Sequence, residues 1–200
     1  MLVSLEGSDG AGKTTQVRLL GRALAGREPL LVREPGGTAF GERVRDLVLH
    51  GGGFELGPQA EAFLFMAARA ELLEERVRPA LAAGRLVLCD RYHDATRAYQ
   101  GVVGGAEVPW PEAFPRPSLT VLLALPPEVG LRRQAAEGKS PDRLEARSLE
   151  FHQRVAEAYL TLAAEEPERW LVVDATDPPA RICAAVSGRV EELLAAEPSR

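Results

Sequence analysis

The sequence predicts an α/β domain: a five-stranded parallel sheet flanked by helices on both faces, doubly wound, with a mobile lid. Two observations lead there. Short apolar runs recur along the chain, and the segments between them place apolar residues three and four apart. The strands are expected at "LVSLE", "PLLVR", "RLVLC", "LTVLLAL" and "WLVVDA". Because helical patterns separate them, they should pair in parallel through crossover helices. The helices are expected in "TTQVRLLGRALAG", "EAFLFMAARAELLEERVRPALAAG" and "RLEARSLEFHQRVAEAYLTLAAEE", whose apolar stripes would cover the sheet. A doubly wound domain binds its ligands outside the carboxyl ends of its strands.

Two segments depart from this alternation. "GVVGGAEVPWPEAFPRPS" is rich in Gly and Pro and reads as a loop, with Trp110 packed against the surface. "RRQAAEGKSPDR", Arg132 to Arg143, sets basic residues around a Gly, Ser and Pro break and reads as a mobile flap.

With 200 residues, 46% of them hydrophobic, the chain is the right size for a single domain over 1–200 with a real core. A formal net charge of -5 supplies no global field for nucleic acid or anionic membrane, so phosphate must be bound locally. Cys89 and Cys183 have no metal-ligand spacing and read as small hydrophobes. No basic segment followed by an apolar signal core opens the chain, and no apolar run approaches the roughly 18 residues of a membrane span. The expected location is therefore the cytoplasm. Lys13 and Lys139 are the only lysines among 24 basic residues, so a lysine at a motif position carries weight.

"GSDGAGKT", Gly7 to Thr14, fits the pattern G-x-x-x-x-G-K-[ST] and lies between the first strand and the first helix, the context that pattern requires. Its glycines let successive N–H groups turn inward, and the helix that follows adds the positive end of its dipole, so the loop should cradle a polyphosphate. Lys13 would reach the terminal phosphates and the Thr14 hydroxyl would bind magnesium. The loop does not say where the phosphate goes, because switches, motors and kinases share it.

The other strand ends suggest a second ligand. "REPGGT", Arg33 to Thr38, allows close backbone approach, and Arg33 and Arg45 bracket it with guanidinium groups suited to a phosphate. Phe65 and Arg69 lie four apart on a helix, a ring for stacking beside a fork of donors. After the third strand, "DRYHDATRAYQG" supplies Asp90 and Arg91, then Tyr92, Thr96, Tyr99 and Gln100 on roughly one helical face. Stacking, edge hydrogen bonds and charge neutralisation are what a planar base carrying a sugar phosphate needs.

Taken together, "EGSDGAGKTTQ", "REPGGT" with "GERVR", "FLFMAAR", "DRYHDATRAYQG", "DRLE" and "VVDA" run in the order of the thymidylate kinases, which the chain closely resembles from residue 6 to residue 175. The resemblance implies the P-loop NTPase fold and a homodimeric nucleoside monophosphate kinase with a lid over approximately 132–143. It would transfer the γ-phosphate of ATP to dTMP with Mg²⁺, giving dTDP and ADP for dTTP synthesis.

Carried over by position, Gly7, Ser8, Asp9, Gly10, Ala11, Gly12, Lys13, Thr14 and Thr15 hold ATP, and Thr14, Asp90 and Glu34 surround magnesium. Asp9 faces the acceptor, Arg33, Arg45 and Arg91 hold its phosphate, and Phe65 stacks on thymine. Arg69 bonds the thymine edge, with Thr96 and Gln100 flanking the base and Tyr99 against the deoxyribose. Glu34 is also placed on the acceptor side.

Two positions depart from the family pattern. Ala95 stands where many bacterial members have Ser, so no base contact is carried onto it. Gly10 stands where some members carry a catalytic arginine, so the lid must supply the charge. The lid candidates are Arg132, Arg133, Lys139 and Arg143, with Arg143 aligning best through "DRLE".

Since the acceptor oxygen is already ionised near neutral pH, the chemistry needs positive charge and in-line positioning rather than a strong base, and Lys13, Asp9, Arg91, Arg143 and Arg133 are the catalytic candidates. His50, His93 and His152 are scattered and receive no catalytic role. A kinase for another nucleotide, or a nucleotide-dependent switch, would share the cradle. Turnover with dTMP separates both from this expectation.

Overall fold

The computed structural model describes residues 1–51, 55–136, 138 and 140–196. Strands β1 (Leu2–Glu6), β2 (Leu30–Arg33), β3 (Val87–Asp90), β4 (Leu119–Ala124) and β5 (Trp170–Asp174) form one parallel sheet in the order β2-β3-β1-β4-β5. The runs of the central strands β1 and β3 are buried throughout, as expected of strands covered on both faces. The edge strands β2 and β5 are more open, each with one buried residue, Val32 and Trp170, among half-buried and exposed ones.

Adjacent residues of one strand serve opposite faces of the sheet. Val3 and Leu5 pack with Val17 and Leu20 of α1 (Lys13–Ala23) and with Ile182 and Val186 of the last helix, Pro179–Ala196. Leu2, Val87 and Cys89 pack on the other face, against Leu72, Leu73 and Val77. Full burial of side chains of this size contributes roughly 1.5–3 kcal/mol each, so the two faces together hold the sheet.

Helix α2 (Ala39–Leu49) starts where the Thr38 hydroxyl accepts the Gly41 N–H at 2.9 Å. Helix α3 (Pro58–Leu72) begins on a proline and continues through a π-helical turn, Leu73–Val77, into α4 (Arg78–Ala82). After β3, α5 (His93–Thr96) widens into a π-helical segment, Arg97–Val103, and the chain then runs as a loop to β4. Trp110 pins that loop, donating to the Phe114 carbonyl at 2.9 Å and meeting the His93 ring edge-on.

Two expected boundaries shift. The flap begins on a helix, because Arg132 to Ala136 belong to α6 (Pro127–Ala136). Conversely, residues 143–148 are not helical. Asp142 Oδ1 accepts the N–H groups of Leu144 and Glu145, each at 2.9 Å, closing a turn. Helix α7 (Leu149–Glu165) then starts afresh at Ser148, whose hydroxyl caps the Phe151 N–H; α8 is Pro179–Ala196.

Candidate active site

A cleft of about 730 Å³ opens at the carboxyl ends of β1, β2 and β3. At one end lies the loop from Gly7 to Lys13. Gly7, Gly10 and Gly12 all adopt positive φ, which the inward turn of the N–H groups requires. A side chain at Gly7 would meet the Leu123 carbonyl at 2.6 Å, and one at Gly10 would collide with Gly130 of α6. In this arrangement a side chain at Gly10 would therefore require the loop or α6 to shift.

Lys13 folds its ammonium back onto the carbonyls of Gly7 (3.0 Å) and Ser8 (2.7 Å). Burial, with Arg91 close by, pulls its pKa down to about 8. The Thr14 hydroxyl donates to Asp90 Oδ2 at 2.5 Å, setting a hydroxyl and a carboxylate side by side at the mouth of the cradle. These are hard oxygen ligands of the kind magnesium takes.

Behind the loop a polar network spans the floor of the cleft. Arg91, held at φ 67, donates to the Gly7 carbonyl and Tyr159 hydroxyl, each at 3.1 Å, and pairs with Asp9. A bulky residue in that backbone region costs of order 1–3 kcal/mol and needs surroundings that enforce it. Asp9 also accepts from the Tyr99 hydroxyl at 3.1 Å, with His152 Nδ1 at 3.9 Å. Burial works against the Asp9 charge, yet Arg91 and Lys13 outweigh it and hold the carboxyl below its ordinary range. Glu6, fully buried, accepts from the Tyr92 N–H and the Tyr159 hydroxyl; burial, reinforced by Asp94, lifts its pKa to about 8.

The far end of the cleft is lined by Phe65, Arg69, Thr96 and Gln100. Arg69 is nearly sealed. Its Nε donates to Glu34 Oε2 at 2.6 Å, Nη1 to His93 Nδ1 at 3.1 Å, and Nη2 to the Tyr92 carbonyl and Thr96 Oγ1, both at 3.1 Å. A guanidinium only donates, so His93 Nδ1 accepts and its Nε2–H donates to the Pro109 carbonyl at 3.0 Å. Glu34 Oε1 is buried without a partner among the described residues, and burial raises the Glu34 pKa to about 7 against the pull of Arg69.

A family model described as thymidylate kinase matches residues 5–186. The chain belongs to the thymidylate kinase family. A thymidylate kinase of Thermomicrobium roseum is 46% identical over 201 residues, covering 96% of this chain and 95% of that one. One from Deinococcus radiodurans is 47% identical over 202 residues, covering 94% and 97%. The crystal structure of the thymidylate kinase from Ehrlichia chaffeensis superposes with a TM-score of 0.70 at 27% identity, covering 97% of this chain and 98% of that one. Membership makes the chain an ATP-dependent nucleoside monophosphate kinase on the P-loop NTPase fold.

Within this cleft the residues singled out from the sequence distribute unevenly. Asp9, Lys13, Thr14, Thr15, Asp90, Arg91, Arg33, Arg45, Glu34, Phe65, Arg69, Thr96, Tyr99 and Gln100 all line the one cleft, as does Arg133. Three placements differ from expectation. Glu34, expected in a magnesium shell, is the buried counter-ion of Arg69. Arg143, expected at the phosphates, is held at the acceptor end, donating to the Val48 carbonyl at 2.9 Å and to Glu61 Oε1 at 2.6 Å. Tyr92 turns into the core beneath β2 and β3, its hydroxyl reaching the Pro115 carbonyl.

Among the lid cations, Arg132 and Arg133 are both exposed, and Arg133 leans over the donor end, donating to the carbonyls of Ala175 (3.1 Å) and Gly10 (3.5 Å). Lys139 lies outside the described residues. Sequence reasoning missed Glu6, Glu61, Tyr159 and His152, which act through partners remote in the chain; only the acidic Glu6 beside the glycine loop gave a local signal.

Proposed function

We propose that this cleft transfers the γ-phosphate of ATP to dTMP, giving dTDP and ADP for dTTP synthesis. The observation that carries the proposal is one continuous cleft joining the phosphate loop to Phe65 and Arg69, with Arg91 between them. The loop from Gly7 to Thr15 holds the ATP phosphates, Lys13 leaving its two carbonyl partners for the γ-phosphate. Thr14 and Asp90 hold Mg²⁺, which when bound neutralises phosphate charge.

Arg33, Arg45 and Arg91 receive the dTMP phosphate, Phe65 stacks on thymine, and Arg69 with Thr96 and Gln100 meets its edge. Tyr99 and Asp9 lie beneath the sugar and bound Arg91. Two anions must approach in line, and fixed cations around the transferring group lower that barrier most. With glycine at position 10, the added cation comes from α6 and the segment after it: Arg133 already overlies the loop, and Arg143 reaches the phosphates only by releasing Glu61.

Single-domain organisation over 1–200 fits the shared sheet. Exposed Phe40 and Leu47 on α2 and Phe63 on α3 favour a homodimer. A cytoplasmic location is part of this reading; no helix among the described residues is long and apolar enough to cross a membrane.

ADP release across a panel of nucleoside monophosphates tests the proposal. Rapid turnover is expected with dTMP and ATP, and none without Mg²⁺. Equal rates with dCMP would remove the assigned acceptor. Replacing Phe65 with Ala should raise KM for dTMP and leave KM for ATP in place.

A further inference from the structure

We propose that Glu61 is a positioning residue for base selection: it fixes the side-chain amide of Gln100 so that a carbonyl oxygen, and not an NH₂ group, faces the bound base. The inference rests on dTMP being the acceptor. Glu61 lies one helical turn before Phe65 on α3 and is 6% exposed. Its Oε2 accepts from Gln100 Nε2 at 3.0 Å, and its Oε1 accepts from Arg143 at 2.6 Å. The carboxylate thus turns a separate oxygen to each partner, and the contact with Gln100 does not depend on the one with Arg143.

A carboxylate offers acceptors only, so the Gln100 NH₂ must turn toward it. The opposite end of the amide, Oε1, accepts no hydrogen bond from the described residues, while Gln100 itself is 3% exposed and lines the cleft. A terminal amide torsion is broad and roughly two-fold, so without Glu61 nothing in the side chain itself favours this orientation over its flip.

The consequence for the base follows from a count of donors. Arg69 has five N–H groups; four are taken by Glu34, His93, Tyr92 and Thr96, leaving one on Nη1. Thr96, which Arg69 bonds, lies one turn before Gln100. The wall beside Phe65 therefore presents two donors, the spare guanidinium N–H and the Thr96 hydroxyl, and one amide acceptor. Thymine carries the complement, an acceptor at O4 next to the donor N3–H. Cytosine carries the inverse, an amino donor next to an acceptor nitrogen, and would leave buried groups facing their own kind.

The test compares kcat/KM for dTMP and dCMP in the unaltered protein, Glu61→Ala, Gln100→Ala and the double variant. Glu61→Ala is expected to lower the preference for dTMP by about tenfold or more, the scale of one misdirected buried hydrogen bond, with KM for ATP unchanged. The double variant should discriminate no worse than Gln100→Ala alone, because Glu61 acts through Gln100. Arg143→Ala should keep the base preference, whatever it does to turnover.

If Glu61→Ala does not fold, Glu61→Met keeps the stem and removes the carboxylate, with the same expectation. Full preference in a folded Glu61 variant, or independent additive losses in the double variant, would overturn the proposal. Failure of the unaltered protein to use dTMP would strike the acceptor assignment itself, and is distinguished by appearing before any substitution.

Discussion

The two ends of the cleft are built from different materials. The donor end is mostly backbone: a glycine loop, the start of α1, and Lys13 resting on the loop's own carbonyls. The acceptor end is mostly side chains holding one another, with Arg69, Glu34, His93 and Thr96 joined in one buried cluster and Glu61, Gln100 and Arg143 in the next. Backbone geometry survives the loss of a side chain, whereas a buried polar cluster loses a partner and strands the rest. Substitutions at the donor end should therefore register in turnover, and substitutions at the acceptor end in stability and substrate affinity.

The sharpest version of that contrast is Lys13→Ala against Arg69→Ala. Removing Lys13 withdraws charge from the transferring phosphate, and turnover should fall on the order of 10²–10³-fold. The fold should be as stable as before or slightly more so. Burial depresses the Lys13 pKa to about 8, so near neutral pH the folded chain carries a buried cation that the unfolded chain keeps in water, and the substitution removes that penalty. A large drop in unfolding free energy for Lys13→Ala would break the distinction between the two ends.

Arg69→Ala should do the reverse. It leaves Glu34, 5% exposed and with one oxygen already unpartnered, without its counter-ion. Breaking a buried pair in this way costs about 3–5 kcal/mol. Denaturant unfolding should show that loss, and adding Glu34→Gln to Arg69→Ala should restore part of it. No recovery in the double variant would mean that the lost stability comes from the other partners of Arg69, Tyr92 and Thr96 among them.

The same difference decides how much was legible in the sequence. All five strands were visible, because burial on both faces writes mostly apolar runs into β1 and β3, broken only by Ser4 and by the acidic residues at their carboxyl ends. The donor end was visible too, since its geometry depends on glycines contiguous in the chain. At the acceptor end, Phe65, Arg69, Thr96 and Gln100 could be named, but not their wiring. Glu61 meets Gln100 across 39 residues and Tyr159 meets Glu6 across 153, separations at which no local pattern records a pairing. Helix starts went astray for a related reason: Asp142 and Ser148 redirect the backbone over 143–148 despite an unbroken apolar stripe.

His93→Gln gives a smaller and more selective test of the acceptor end. Gln can accept from Arg69 and donate to Pro109, so at about pH 7.5 the substitution should cost only about 1 kcal/mol. The pH dependence distinguishes the two proteins. Burial, with Arg69 adding to it, lowers the His93 pKa from 6.5 to about 3. Between those values the unfolded chain binds a proton that the folded chain refuses, so the His93 contribution to stability falls as pH falls below 6.5.

Glu34 and Glu6, with raised pKa values, act in the opposite direction over part of this range, but they are present in both proteins and drop out of the difference. The gap between His93→Gln and the unaltered protein should therefore narrow or change sign by about pH 5, as read from urea unfolding at the two pH values. A gap that stays constant would show that His93 takes up its proton equally in the folded and unfolded chains. Its Nδ1 could not then be accepting from Arg69, and the orientation of the guanidinium would have to be held by Glu34, Tyr92 and Thr96 alone.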